Sequence, residues 1–167
     1  MSEFSVARAR ALGRELVEIH QWLRTELRRV RAELNRYPTG ELVRPTQLRS
    51  HCTAFCQALT RHHVSEDTTT FPALAAQFPE LAPVLAELRD DHRLVADILR
   101  RLEQLLTSVN PDNAGAALRE LDGLTAILES HFQWEERRLV QALDAFESGS
   151  RTTEQLFGIT VRPTRRE

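Results

Sequence analysis

The chain has 167 residues, with 22 basic and 24 acidic side chains and a formal net charge of -2. This length suits one domain with one hydrophobic core, and the balanced charge argues against nucleic acid or an acidic membrane surface as a partner. Charged side chains interrupt the first twenty residues, and no apolar run reaches the ~20 residues that span a bilayer, so we expect no secretory signal, no membrane anchor and a cytoplasmic location.

Apolar residues recur at three- and four-residue steps over four stretches, which predicts four amphipathic helices. The first helix runs from Ser5 to about Asn35 and is followed by segment 37–45, whose proline and glycine break the helix. The second begins with Thr46 as a candidate N-cap and leads into residues 61–74, RHHVSEDTTTFPAL. We therefore expect two helices joined by a turn in this half of the chain.

Two further helices are predicted after a connection that contains three prolines. The third apolar stripe runs from Leu81 to Leu106, and the sequence NPDN, residues 110–113, has the residue types of a turn. The fourth stripe runs from Leu118 to Leu143. Because a short connection returns each helix beside the previous one, we predict an all-α, antiparallel up-down-up-down four-helix bundle.

The predicted bundle covers residues 1–147 and leaves residues 148–167 as a short C-terminal tail. Leu156, Phe157 and Ile159 are apolar residues through which this tail could dock on the bundle. A docked tail and a mobile tail both remain open at this stage.

Four of the six histidines lie on apolar stripes, one on each predicted helix. Two residues of an antiparallel hairpin share a height when they are equidistant from the turn. The midpoint of positions 20 and 62 is residue 41, that of 66 and 92 is residue 79, and that of 92 and 131 is 111.5, and all three lie in predicted turns. Six side chains are therefore expected at one height of the interior: His20, His62, Glu66, His92, His131 and Glu135.

Two of these histidines have a glutamate four residues later, a spacing that places the two side chains one above the other on a helix. Each pair can then reach the same ion or adjacent ions, and two bridging carboxylates would offset the charge of two cations. Mixed imidazole and carboxylate ligands suit iron, with manganese or zinc as alternatives. Since a buried carboxylate without a partner is costly, the pattern predicts a site for two metal ions.

The other two histidines are not expected to be ligands. His63 lies ~100° around the helix from His62, which predicts a position at the surface or behind a ligand. His51 is eleven residues from His62, or ~16 Å along a helix axis, which is too far to bind the same ions. Cys52 and Cys56 stand one turn apart and are expected to be small buried residues, not a disulfide.

Several neighbouring residues have expected supporting roles. Asp67 and Asp91 are candidates to accept hydrogen bonds from the ring N–H groups of metal-bound histidines. Phe132 and Trp134 are expected to wall the site and exclude water, whereas Tyr37 falls in a loop and should not be a ligand. Two other kinds of metal site are excluded, because no histidine follows a glutamate by three residues, as in ferritin-like bundles, and no HExxH motif is present.

The order His, His-x-x-x-Glu, His, His-x-x-x-Glu resembles the hemerythrin-like (HHE cation-binding) family over roughly residues 10–146, with HHVSEDTTTFPAL at the second position and SHFQWEERRL at the fourth. The resemblance implies a four-helix bundle that holds two iron ions with an oxo or hydroxo bridge. Carried over by position, the nitrogen ligands would be His20, His62, His92 and His131, and the bridging carboxylates Glu66 and Glu135.

The chain departs from the oxygen-carrying hemerythrins, to which it is otherwise similar, at two positions. Those proteins have a further histidine one turn after the third-helix ligand, where this chain has Ala96. They also place the last carboxylate five residues after its histidine, which makes Glu136 a second choice beside Glu135. The absent histidine argues against reversible oxygen carriage.

Two functions follow from this interpretation. The first is a redox enzyme that decomposes hydrogen peroxide or activates dioxygen. The second is a module that senses or stores oxygen, nitric oxide or iron without turnover. A structural bundle filled with zinc is a third possibility, and no protein partner is indicated.

Overall fold

A computed structural model of the chain describes residues 3–37 and 45–161, with side chains for 12–37 and 46–161. These ranges contain no β-strand and form six α-helices: α1 (Glu3–Arg36), α2 (Pro45–Ser65), α3 (Phe71–Gln77), α4 (Ala82–Thr107), α5 (Ala114–Ala145) and α6 (Thr153–Phe157). The all-α class is confirmed, and the up-down-up-down order stays a prediction. The turn centre at residue 41 and the last six residues of the tail lie outside the described residues.

The four predicted helices correspond to α1, α2, α4 and α5. Thr46 is not an N-cap, because α2 already begins at Pro45. Proline suits the first position of a helix, where its missing N–H leaves no hydrogen bond unmade and its fixed φ is already helical. The sequence pattern did not predict α3 or α6.

A π-helical turn, Glu66–Thr70, carries the chain from α2 into α3 across the predicted break. The N–H of Phe71 donates to the carbonyl of Glu66, five residues earlier. This wider turn accommodates Pro72, which has no N–H and would clash with the carbonyl four residues earlier in a regular α-helix. Glu66 and Thr70 are both buried at the ends of this turn.

The core forms where the apolar stripes meet. α1 and α4 both pack along α5, and α2 packs against α1 and α4. Gly13 permits the close approach of α1 to α5, since a Cβ there would collide with Asp144 and press on Val140. The α1 stripe is buried along its whole length: Leu12, Leu16, Ile19, Leu23, Leu27, Val30 and Leu34. Among the described helices, none combines the length and apolar character that crossing a bilayer requires.

α6 lies against α2 and the π-helical turn. Its N-terminus has a capping box formed by Thr152 and Gln155, and its C-terminus has Gly158 in the left-handed region, at φ 76°. Leu156 and Phe157 are completely buried. The described part of the tail therefore packs on the helical core.

Candidate metal centre

The six predicted ligands lie together in one buried cluster, each no more than 4% exposed. They come from four helices and the π-helical turn, so the cluster exists only in the folded chain. Their role as ligands stays a prediction, which the following geometry supports.

The imidazoles form two pairs whose inner nitrogens face each other. His20 Nε2 lies 3.3 Å from His62 Nε2, and His92 Nε2 lies 3.2 Å from His131 Nε2. Each pair combines rings from two different helices. The arrangement presents two separate pairs of nitrogen donors, each of which could bind an ion.

Each glutamate reaches from one imidazole pair to the other. Glu66 Oε1 lies 3.0 Å from His62 Nε2 and 3.8 Å from His92 Nε2. Glu135 Oε2 lies 3.2 Å from His131 Nε2 and 3.5 Å from His20 Nε2. Both carboxylates therefore occupy positions from which they could bridge two ions.

The outer nitrogen of each of the four imidazoles has an oxygen partner. Because a carbonyl or carboxylate oxygen accepts hydrogen bonds, each Nδ1 carries a proton, and in the neutral ring the lone pair of Nε2 is directed into the cluster. The four hydrogen bonds run from His20 to Glu136 (2.9 Å), from His62 to the Phe157 carbonyl (2.8 Å), from His92 to Asp67 (2.7 Å) and from His131 to Asp91 (3.0 Å).

Asp67 and Asp91 thus occupy the supporting positions that the sequence predicts. Glu136, the second choice as a ligand, lies on the outer side of His20, where it also accepts a hydrogen bond from Arg24. The Phe157 carbonyl was missed. The capping-box pattern that precedes α6 could have indicated a helix there, but it could not have indicated the direction of one carbonyl group.

The carboxylates give the clearest sign that the site fits a metal. None of the four oxygens of Glu66 and Glu135 accepts a hydrogen bond from any described residue, although all are buried. A buried carboxylate is costly unless a cation or donors compensate its charge. The described residues contain four groups of three side chains whose possible ligand atoms lie within 4.8 Å of one another in each group, so the geometry suits cations.

Burial also sets the protonation of the cluster. Burial, reinforced by the nearby His20 ring, lowers the pKa of His62 to about 3, so this imidazole is neutral at pH 7 and available as a ligand. Burial and the adjacent Glu135 raise the pKa of Glu66 well above its usual value. Two carboxylates in this interior cannot both stay ionised without positive charge, which metal cations would supply.

The surface position, one of the two predicted for His63, is wrong, because this side chain is only 5% exposed. α2 is flanked by α1 on one side and α4 on the other. The face of α2 that carries His63 therefore meets α4 and not solvent. The His63 ring stacks on His92, with centroids 3.9 Å apart and planes 13° apart. A nitrogen of His63 falls within 4.8 Å of nitrogens of His92 and His131.

Aromatic rings cover the cluster on two sides. Phe132 stacks on His20, with ring centroids 4.1 Å apart, as its predicted role requires. Phe71, which the sequence analysis missed, stacks on His92 at 5.6 Å. Trp134 is half-buried, with the Arg138 guanidinium 5.0 Å from its ring.

The remaining candidates lie elsewhere. His51 is exposed, and its Nδ1 lies 2.8 Å from the Glu33 carboxylate. Cys52 and Cys56 are free and buried, with their sulfur atoms 3.9 Å apart. The Tyr37 hydroxyl donates to the carbonyl of Val109.

Comparison with known proteins agrees with this geometry. The model of the hemerythrin HHE cation-binding domain matches residues 12–148. No curated protein and no solved structure matched the chain. Since the matched region covers most of the sequence and contains all six clustered side chains, the chain belongs to the hemerythrin HHE cation-binding domain family.

Proposed function

We propose that the chain is a non-heme di-iron protein, built as an antiparallel four-helix bundle, that reacts with hydrogen peroxide or dioxygen as a redox enzyme. One observation carries the proposal: two buried imidazole pairs are spanned by two carboxylates whose oxygens accept no hydrogen bond from the described residues. His20 and His62 would hold one ion, and His92 and His131 the other. Glu66 and Glu135 would bind both.

The donor set favours iron among the possible metals. Four neutral imidazoles and two carboxylates form the borderline nitrogen and oxygen environment that suits iron, with manganese and zinc as weaker alternatives. The two carboxylates leave part of the charge of two cations uncompensated, which an oxo or hydroxo bridge would reduce. A bound iron pair supplies redox equivalents and Lewis acidity.

The surroundings of the cluster favour small reactants. Phe132 and Phe71 stack on His20 and His92 and keep bulk water away from these rings. A surface cavity of about 160 Å³ adjoins His92 and is lined mostly by small or apolar side chains. This volume suits hydrogen peroxide, dioxygen or nitric oxide better than a large organic substrate.

A second candidate function is a module that senses or stores oxygen, nitric oxide or iron without turnover. It is favoured by the hydrogen bond from His62 Nδ1 to the Phe157 carbonyl in α6. Thr70 also donates to the Leu156 carbonyl, next to Phe157. A displacement of the His62 ring would therefore act directly on the C-terminal segment.

Metal content and an optical spectrum test the proposal, followed by addition of peroxide. We expect about two irons per chain and near-ultraviolet absorption from an oxo-bridged pair. Oxygen evolution over many turnovers supports the enzyme, whereas a single stable spectral change supports the sensor. As a control, His51→Ala should have the metal content and spectrum of the wild type, because this exposed histidine pairs with Glu33 away from the cluster. One zinc per chain without colour contradicts both functions.

A further inference from the structure

We infer that His63 is a fifth imidazole ligand of the metal pair, on the ion held by His92 and His131. The inference rests on the proposed function, since it adds a ligand to the same site. It makes the two halves of the site unequal, with three imidazoles on one side and two on the other.

The position of His63 supports this assignment. Nitrogens of His63, His92 and His131 all lie within 4.8 Å of one another, and His63 also belongs to a set with His62 and Glu66. Its ring contacts both partners, stacking on His92 and meeting His131 edge-on at 5.3 Å. The ring is thus in contact with the cluster itself and does not lie behind another ligand.

The hydrogen bonds of His63 separate it from an ordinary core histidine. Its Nε2 is buried and has no partner among the described residues, whereas the outer nitrogen of every other clustered histidine is bonded to oxygen. Leaving a buried polar atom without a hydrogen-bond partner is energetically costly.

The surroundings give the His63 ring room to turn. The His63 and His92 rings are stacked and nearly parallel. Two rings that bind the same ion point their nitrogens at it from different directions, so coordination requires His63 to rotate away from His92. The cavity of about 160 Å³ beside the cluster is lined by His63, His92 and Ala96. The small side chain of Ala96, one turn after His92, leaves space on this side, and α2 supplies the imidazole that α4 does not have there.

Cobalt(II), a spectroscopic probe whose visible bands depend on the number and type of donors, tests the assignment in the full chain. His63→Phe is the decisive variant, because it keeps a ring stacked on His92 and removes the nitrogen. We expect two cobalt ions in the wild type. In His63→Phe we expect at least about tenfold weaker binding of one ion in competition with a chelator, and altered visible bands.

Two further variants complete the experiment. His63→Ala should show the same defect, and added imidazole should restore the wild-type bands by occupying the space left by the ring. His51→Ala, on the same helix and away from the cluster, should bind cobalt as the wild type does. Far-ultraviolet circular dichroism establishes that each variant is folded.

The outcomes separate this inference from the proposed function. Two cobalt ions bound by His63→Phe with wild-type affinity and bands would show that His63 only packs, and would overturn the inference while leaving the di-metal site intact. A wild-type chain that binds no metal would overturn both. Weakened binding in His63→Ala that Phe restores also identifies a packing role and contradicts a fifth ligand.

Discussion

Adjacent residues on one helix have different relations to the cluster. Glu135 is completely buried and faces the inner nitrogens of His20 and His131. Glu136, ~100° further round the helix, is half-buried and accepts hydrogen bonds from the outer nitrogen of His20 and from Arg24. The first position suits a bridging ligand, and the second suits a residue that orients a ligand.

Substitution of each glutamate by glutamine tests this distinction at the residue scale. We expect Glu135→Gln to lose at least one of the two ions, because an amide cannot replace the charge of a bridging carboxylate. Glu136→Gln should keep both ions with affinity reduced about 10- to 100-fold, since only the orientation and basicity of His20 change. Metal analysis and chelator competition measure both effects. Equal losses in the two variants would contradict the assignment.

At the scale of elements, α6 connects the tail to the cluster through backbone carbonyls. The Phe157 carbonyl accepts from His62, and the Leu156 carbonyl accepts from Thr70 in the π-helical turn. Gly158 lets the chain leave α6 at a positive φ, and a Cβ there would run into the backbone carbonyl of Arg61. The position of α6 therefore depends on a residue without a side chain.

Gly158→Ala tests this dependence, with Gly149→Ala as the matched control. Both glycines have positive φ, 76° and 59°, but nothing lies within 4 Å of a Cβ at Gly149. We expect Gly149→Ala to lower the free energy of unfolding by ~1 kcal/mol, from left-handed backbone strain alone. Gly158→Ala should lose more and should also weaken metal binding, because the displaced Phe157 carbonyl no longer orients His62.

Thermal unfolding and chelator competition on the two glycine variants provide the measurements. If both variants lose the same stability and keep wild-type metal affinity, α6 has no part in holding His62. A larger loss in Gly158→Ala together with weaker metal binding supports the coupling between the tail and the site.

At the scale of the whole molecule, the candidate metal site occupies the same interior as the hydrophobic core. Four helices and the π-helical turn supply its side chains, so any ion bound there holds these elements together. A ligand that binds only the folded state stabilises it by ~2.7 kcal/mol at 100 times its Kd. Metal binding and global stability should therefore be strongly linked.

The pH dependence of unfolding, with and without metal, tests this linkage. In the chelated protein, burial lowers the pKa of His62 to about 3 and that of His63 well below 6.5. The unfolded state therefore takes up protons first as the pH falls below ~6.5, and stability decreases from there toward pH 3. Burial opposes the charged form of His131, but the nearby carboxylates of Asp91 and Glu135 outweigh it and raise the pKa of His131 to about 9.

The raised pKa of His131 acts in the opposite direction. The contribution of His131 to the free energy of unfolding is present in full below pH ~6.5 and is lost as the pH rises through 9. We therefore expect the metal-free unfolding temperature to be highest near pH 6.5, and the loaded protein to keep its stability at higher pH, since ions replace the protons. Thermal unfolding between pH 4 and 10 measures both curves. A metal-free curve that keeps rising to pH 9 would contradict this account.

The sequence alone determined the helical class, the buried stripes and the six side chains that meet in the interior. Helical periodicity and the distance of each residue from a turn are properties of the chain that can be counted, and they suffice to place His20 and His131 at one height. Only the tertiary structure decided that His63 is buried, that Glu136 lies outside His20, and that a carbonyl of α6 orients His62. These outcomes depend on which helix packs against a given face and on the direction of a distant backbone group, and residue spacing specifies neither.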